Sequence, residues 1–256
     1  MVLLAAQGLL ISLVLAVGVW LWSLRLRDAS LADRFWSVFV AAPAVLYACA
    51  QPLDARRALM LALMLAWALR LALYIGVRNW GHGEDRRYRD MRERNQPDFG
   101  LKSLYLVFVL QAALAWVVAL PMLAAVQLNT PLGPLEIFGA ALAAAGIGME
   151  ALADTQLARF RKQPRTGDQV LDQGLWRYSR HPNYFGEACV WWGLALMVCP
   201  HAWALASPLL MTGLLLKVSG VTLLEQDIGE RRPAYRDYVA RTSAFIPWPP
   251  RRGPLP

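Results

Sequence analysis

The stretch LLAAQGLLISLVLAVGVWLWSL, residues 3–24, contains no charged side chain. A bilayer core is about 30 Å thick, so a helix needs roughly 20 mostly apolar residues to cross it. This run is long enough. It lacks a basic leader and a small-residue cleavage site, and it is longer than the apolar part of a signal peptide, so it reads as a retained helix. Six further segments have the same character, at about 35–51, 57–79, 103–127, 133–157, 183–200 and 203–224. The chain therefore reads as an all-α integral membrane protein with seven transmembrane helices. No repeat, low-complexity tract or long linker interrupts it, so residues 1–256 read as one seven-helix membrane domain.

The composition agrees. Of the 256 residues, 57% are hydrophobic and 17% charged, against roughly 25% charged in a soluble domain. Eleven tryptophans exclude a disordered chain. A net charge of +8 would point to nucleic acid on a soluble domain, but here the basic residues lie between apolar runs and imply no such partner. Cys49, Cys189 and Cys199 are too widely spaced for a metal or disulfide framework.

Charge placement sets the orientation. The loop of Arg25, Arg27 and Arg34, the loop from Arg78 to Lys102, the loop from Arg159 to Arg180 and the C-terminal tail fall on one side of a seven-span arrangement. Together they hold 22 of the 26 basic residues. Arg56 and Arg57 lie on the other side, and Arg70 and Lys217 fall within spans. The positive-inside rule then places the N-terminus outside and the C-terminus in the cytoplasm.

Ionisable residues inside spans are costly and usually face a cavity or a partner. On the fifth span, Asp154 follows Glu150 by four residues and Arg161 follows Asp154 by seven, which puts the three on one face. Such a stripe either lines the mouth of a pocket or seats the helix end as an interfacial ion pair. The run GLWRYSRHPNYFGE, residues 174–187, is the densest polar stretch touching a span. Pro182 suits a first helical turn, which places Asn183 and Glu187 on one face and aims the helix N-terminus at the cytoplasm, where it can attract an anion. The run EDRRY at 84–88, after a turn at Gly81 and Gly83, reads on composition as a solvated charge run. The tail from Glu225 to Pro250 alternates charges with Tyr235, Tyr238, Phe245, Ile246 and Trp248, and reads as an amphipathic segment on the membrane or a lid over the polar mouth. Arg70, Tyr74 and Gln111 are further polar groups within spans.

The run from Gly174 to Glu187, together with TSAFIPW at 242–248, resembles the C-terminal signature of the steroid 5-alpha-reductase-like superfamily. The nearest resemblance is to its bacterial branch, the domain of unknown function numbered 1295, in which a motif like 84–88 recurs. The match lies mainly in residues 145–250. It implies a seven-helix domain in a bacterial inner (cytoplasmic) membrane, with NADPH bound in a cytoplasm-facing cavity and reduction of a carbon–carbon double bond conjugated to a ketone. On that resemblance Asp154 and Arg161 correspond to cofactor contacts, Glu150 stands where the steroid enzyme has asparagine, and Asn183 and Glu187 hold the nicotinamide end. Arg70 and Tyr178 correspond to a nearby arginine and aromatic, and Arg180 and His181 complete the expected cofactor set. Trp36 and Trp67 replace a glutamate and a tyrosine that bind the ketone in the steroid enzyme, so the substrate half is rebuilt. Tyr74, Asp33 and Tyr88 are then the catalytic candidates nearest in sequence.

The implied activity is NADPH-dependent hydride transfer to a lipophilic enone entering from the bilayer, with membrane lipid as the surrounding partner. Two alternatives stand beside it. Arg180 to Gly186 also fits the Arg-His-Pro-x-Tyr-x-Gly pattern of membrane methyltransferases of the isoprenylcysteine carboxyl methyltransferase type, which use S-adenosylmethionine. A non-catalytic lipid-binding protein of the same fold is the other.

Overall fold

The computed structural model describes residues 1–164, 169–218 and 234–251, and among these the regular structure is helical with no strand. In chain order the helices are α1 (Val2–Leu26), α2 (Leu31–Ala48), α3 (Ala55–Arg78), α4 (Arg86–Arg94), α5 (Phe99–Ala125), α6 (Pro134–Lys162), α7 (Pro182–Leu196), α8 (Ala202–Lys217) and α9 (Ala234–Arg241). Five of them, α1, α2, α3, α5 and α6, are long and apolar enough to cross a membrane.

The expected sixth span corresponds to a shorter helix, and the expected seventh is described only in its first part. With 15 residues, α7 is about 22 Å long, and Asn183 and Glu187 occupy its first two turns. The expected stretch to residue 200 is cut short because the chain turns after Leu196. The described part of α8 is helical through Val218, and residues 219–224 of the expected last span lie outside the described residues, as do Arg165, Glu225, Arg231, Arg232 and Arg252.

Local chemistry explains the boundaries. α1 ends where Arg27 turns left-handed, at φ 53°, and its N–H returns to the Ser23 carbonyl. α3 begins where Asp54 accepts the Arg57 N–H at 2.8 Å, an N-cap that satisfies an orphan donor. Asp85 caps α4 in the same way through the Arg87 N–H. Pro182 opens α7, as its place in the sequence predicts. α5 carries a π-helical stretch at Leu104–Val109, where the hydrogen-bond ladder shifts.

The chain groups into two compact units, Met1–Ile137 with Ala195–Ser207, and Phe138–Leu194 with Pro208–Pro256. In the first, α1 packs on α2 and α2 on α3. The buried face of α1 is a stripe of small residues, Gly8, Ser12, Ala16, Val19 and Ser23, which lets α2 come close. Ser12 Oγ donates to the Phe39 carbonyl at 3.1 Å, and the Tyr47 ring occupies the space a side chain at Gly8 would fill. Phe39, Tyr47, Met60, Met64, Trp67 and Phe108 form its fully buried core.

The short loops that the charge count sets opposite the basic ones are drawn together in this unit. Arg56, on α3, is 2% exposed. Its guanidinium donates to the Met197, Thr130 and Pro131 carbonyls and to Thr130 Oγ1, and pairs with Glu136 at 3.4 Å. Arg57 is held by Asp54 through Nε and Nη2 at 3.1 and 3.0 Å. Both cations that the charge count left on the outer side are thus buried and paired with acids.

In the second unit α6 and α7 cross backbone against backbone. A Cβ at Gly146 would lie 2.5 Å from the Gly186 carbonyl oxygen and 2.9 Å from the Val190 nitrogen, and one at Gly193 would lie 2.6 Å from the Ala143 nitrogen. Only glycine permits so close an approach, the usual small-residue contact between membrane helices.

Candidate functional site

The α6–α7 crossing brings the expected acidic stripe and the expected amide together. Glu150 and Asp154 are buried on α6, at 2% and 5% exposure, and Glu187 is buried on α7. Gly186 makes room for Glu150, whose Cγ would lie 2.9 Å from a Cβ there. Asn183 Nδ2 donates to Asp154 Oδ1 at 3.1 Å. A carboxylate only accepts, so it fixes the orientation of the Asn183 amide. Asn183 Oδ1 is consequently turned away, buried and without a hydrogen-bond partner among the described residues. Arg161 is exposed near the end of α6, so the stripe runs from buried carboxylates to a solvated cation.

The loop before α7 is held on α6 and by the C-terminal segment. Trp176 Nε1 donates to the Ala153 carbonyl at 3.1 Å and the Leu175 N–H to Gln156 Oε1 at 3.1 Å. Tyr238, on α9, places its hydroxyl on the Trp176 and Ser179 carbonyls. Arg180 is buried, with Nη1 donating to the Thr242 and Val239 carbonyls at 2.6 and 3.2 Å and its N–H to Ser243 at 2.8 Å. Arg180 therefore clasps the tail. His181 is buried and stacks on Tyr184 with centroids 5.4 Å apart, whereas Tyr178 is 43% exposed. Of the expected cofactor set, Glu150, Asp154, Arg161, Tyr178, Arg180, His181, Asn183 and Glu187 fall in this unit, and Arg70 lies on α3 in the other.

A second polar cluster forms in the first unit. Tyr88 donates to Asp33 Oδ1 at 2.6 Å, Arg87 Nη2 pairs with Asp33 Oδ2 at 2.8 Å, and Gln111 Nε2 bridges Asp33 Oδ1 and Tyr88 Oη at 3.2 and 3.3 Å. Beside it Arg92 grips Glu84 with Nε and Nη2 at 2.9 and 2.7 Å, and Glu84 accepts the Ala29 N–H at 2.8 Å. The run at 84–88 is thus a tether between α4 and the start of α2, and composition alone misses this. Two of the three catalytic candidates, Asp33 and Tyr88, meet directly; Tyr74 instead lies under the Arg78 guanidinium, 5.6 Å from its ring centroid. Trp67 is fully buried and Trp36 half-buried.

A family model described as Protein of unknown function (DUF1295) matches residues 19–242. The chain belongs to the DUF1295 family. No curated protein and no solved structure matches it. In this DUF1295 member the matched range takes in both polar clusters, so the tether at 84–88 and the crossing at Asp154 and Asn183 each lie inside the family's own span.

Burial, aided by the charge of Asp33, raises the pKa of Tyr88 well above that of a free tyrosine. A raised native pKa leaves stability unchanged below the unfolded value, about 10, and reduces it as pH rises beyond that. Thermal melts between pH 8 and about 11 should therefore show an alkaline loss that Tyr88→Phe reduces. The same variant, having lost a hydrogen bond to a carboxylate, should be about 1.5–3 kcal/mol less stable at neutral pH. An unchanged alkaline limb would mean that Tyr88 does not titrate against Asp33.

Proposed function

We propose that this chain is a membrane-embedded, NADPH-dependent reductase of a lipophilic enone, with seven membrane helices, the N-terminus outside and the cofactor end facing the cytoplasm. The observation that carries the reading is the Asp154–Asn183 pair. It leaves Asn183 Oδ1 as a buried acceptor without a partner among the described residues, which is the group a carboxamide N–H requires. Glu150 and Glu187, buried on facing helices, add acceptors for amide or ribose donors. Arg161, solvated near the end of α6, suits a phosphate. These residues fit a dinucleotide better than a phosphate-free cofactor such as S-adenosylmethionine. The resemblance to the steroid 5-alpha-reductase-like superfamily supplies the reaction class.

NADPH would supply a hydride to the electron-poor carbon of the conjugated double bond, and the adjacent carbon would take a proton from water or a side chain. The chain's own part is to hold the carboxamide through Asn183, hold phosphate through Arg161 and keep water from the apolar site. The seven-span topology is supported by the grouping of 22 basic residues on one side and by the neutralisation of Arg56 and Arg57 within their own unit.

Protein purified from membranes, denatured and examined by mass spectrometry should release NADP(H). Release of S-adenosylhomocysteine would instead assign a methyltransferase, and a preparation that neither contains nor binds either cofactor would assign a non-catalytic role. Arg161→Ala should weaken NADPH binding by about tenfold to a hundredfold, the worth of one charge-assisted hydrogen bond, with the melting temperature unchanged. Unaltered affinity would return Arg161 to a topological anchor.

A further inference from the structure

The segment 234–251 is bound to the loop before α7 and leaves Ile246 and Trp248 exposed. Its attachment is accounted for bond by bond: Ser179 Oγ donates to the Phe245 carbonyl at 2.8 Å, the Trp248 N–H to the Tyr178 carbonyl at 2.9 Å and the Arg251 N–H to the Arg241 carbonyl at 2.9 Å, while Phe245 meets Phe185 edge-on. The side chains of Ile246 and Trp248 stand out, at 61% and 69% exposure, with Tyr178 beside them at 43%. A strap held this firmly has no need to present a tryptophan and an isoleucine to water.

Its position relative to a span says what meets them. The strap is tied to Trp176–Arg180, the residues just before α7, and Trp176 is bonded to α6 at Ala153, nine residues and about 14 Å before that helix ends. The apolar edge therefore lies level with the last turns of a helix able to cross a membrane, the depth at which tryptophan and tyrosine collect at the headgroups. The surrounding charge is basic. Arg177, Arg236 and Arg251 are exposed, Arg241 is paired with Asp172, and Asp237 is the one acid on the strap, so the balance is basic. An apolar aromatic edge within a basic rim is complementary to an anionic phospholipid surface.

We propose that the strap 234–251 docks Tyr178, Ile246 and Trp248 on the anionic headgroups of the membrane that holds the protein, so that lipid charge secures the polar loop preceding α7. The proposal concerns lipid contact and stands apart from the cofactor reading. It is tested with full-length protein in which Cys49, Cys189 and Cys199 are replaced by alanine and Ile246→Cys carries an environment-sensitive fluorophore. The protein is reconstituted into vesicles of phosphatidylcholine alone or mixed with phosphatidylglycerol. With phosphatidylglycerol the emission should shift to the blue and be quenched by a lipid-borne quencher. High salt should weaken that quenching, and Arg177→Ala and Arg251→Ala should each lower the docked fraction's equilibrium about fivefold. Quenching by aqueous iodide alike in both vesicles would overturn the proposal, as would lipid quenching independent of phosphatidylglycerol and salt. A blue shift appearing only on addition of an acidic soluble protein would assign the edge to a protein partner instead and overturn it equally.

Discussion

Arg56→Ala is expected to cost about 3–5 kcal/mol, the range for removing one member of a buried charged network. The alanine takes away every bond that Thr130, Pro131 and Met197 receive from this guanidinium and leaves the Glu136 carboxylate without its cation. Three loops lose their common fastening at once. Arg56→Lys keeps the charge but not the planar fork that reaches several carbonyls in different directions, so it should recover only part of the loss. Tryptophan-fluorescence melts in detergent measure both variants. A melting temperature within a degree or so of the parent for Arg56→Ala would show that the loops are held by something else.

The second large effect is expected at the α6–α7 crossing. Gly146→Ala puts a methyl group where the Gly186 carbonyl and the Val190 nitrogen already stand, and backbone atoms cannot swing aside as a side-chain tip can. Overpacking of this kind costs about 1–3 kcal/mol. It should also spread the helices that carry Asp154 and Asn183, so their hydrogen bond lengthens and any ligand bound through Asn183 is released. Gly148→Ala, two residues along the same helix, is the control. Nothing lies within 4 Å of a Cβ there, and replacing a mid-helix glycine should stabilise by about 0.5–1 kcal/mol. Equal melting temperatures for the two variants would mean that the crossing is looser than described.

Those two sites show what the sequence discloses and what it withholds. The apolar runs declare their helices because the requirement they meet is one of length and composition, both visible in one dimension. Pro182 declares the start of α7 for the same reason: its fixed φ and missing N–H act locally. The face shared by Glu150 and Asp154 follows from helical spacing, and that the two are buried there agrees with it. Partnership across the chain is different. Arg87 and Tyr88 look like any solvated basic run until Asp33, 54 and 55 residues away, is brought beside them. Arg56 looks like an exception to the charge rule until its acceptors, 74 to 141 residues further on, are in place. Arg180 looks like an anion ligand beside a helix N-terminus, and its tail carbonyls lie 59 and 62 residues downstream. Spacing within one helix could not have supplied those partners, because each depends on which segments the fold sets side by side.

The distance in sequence between Arg56 and Met197 is also a delay. A ribosome adds about 5–20 residues per second, so the 141 residues separating donor from acceptor represent about 7–28 seconds of synthesis. For the later part of that interval α3 is complete while its guanidinium lacks the carbonyl that completes its fastening. This end of the first unit therefore stays incompletely fastened until residue 197 has been added, and a chain interrupted before it would hold Arg56 with its Thr130, Pro131 and Glu136 partners but without the Met197 carbonyl.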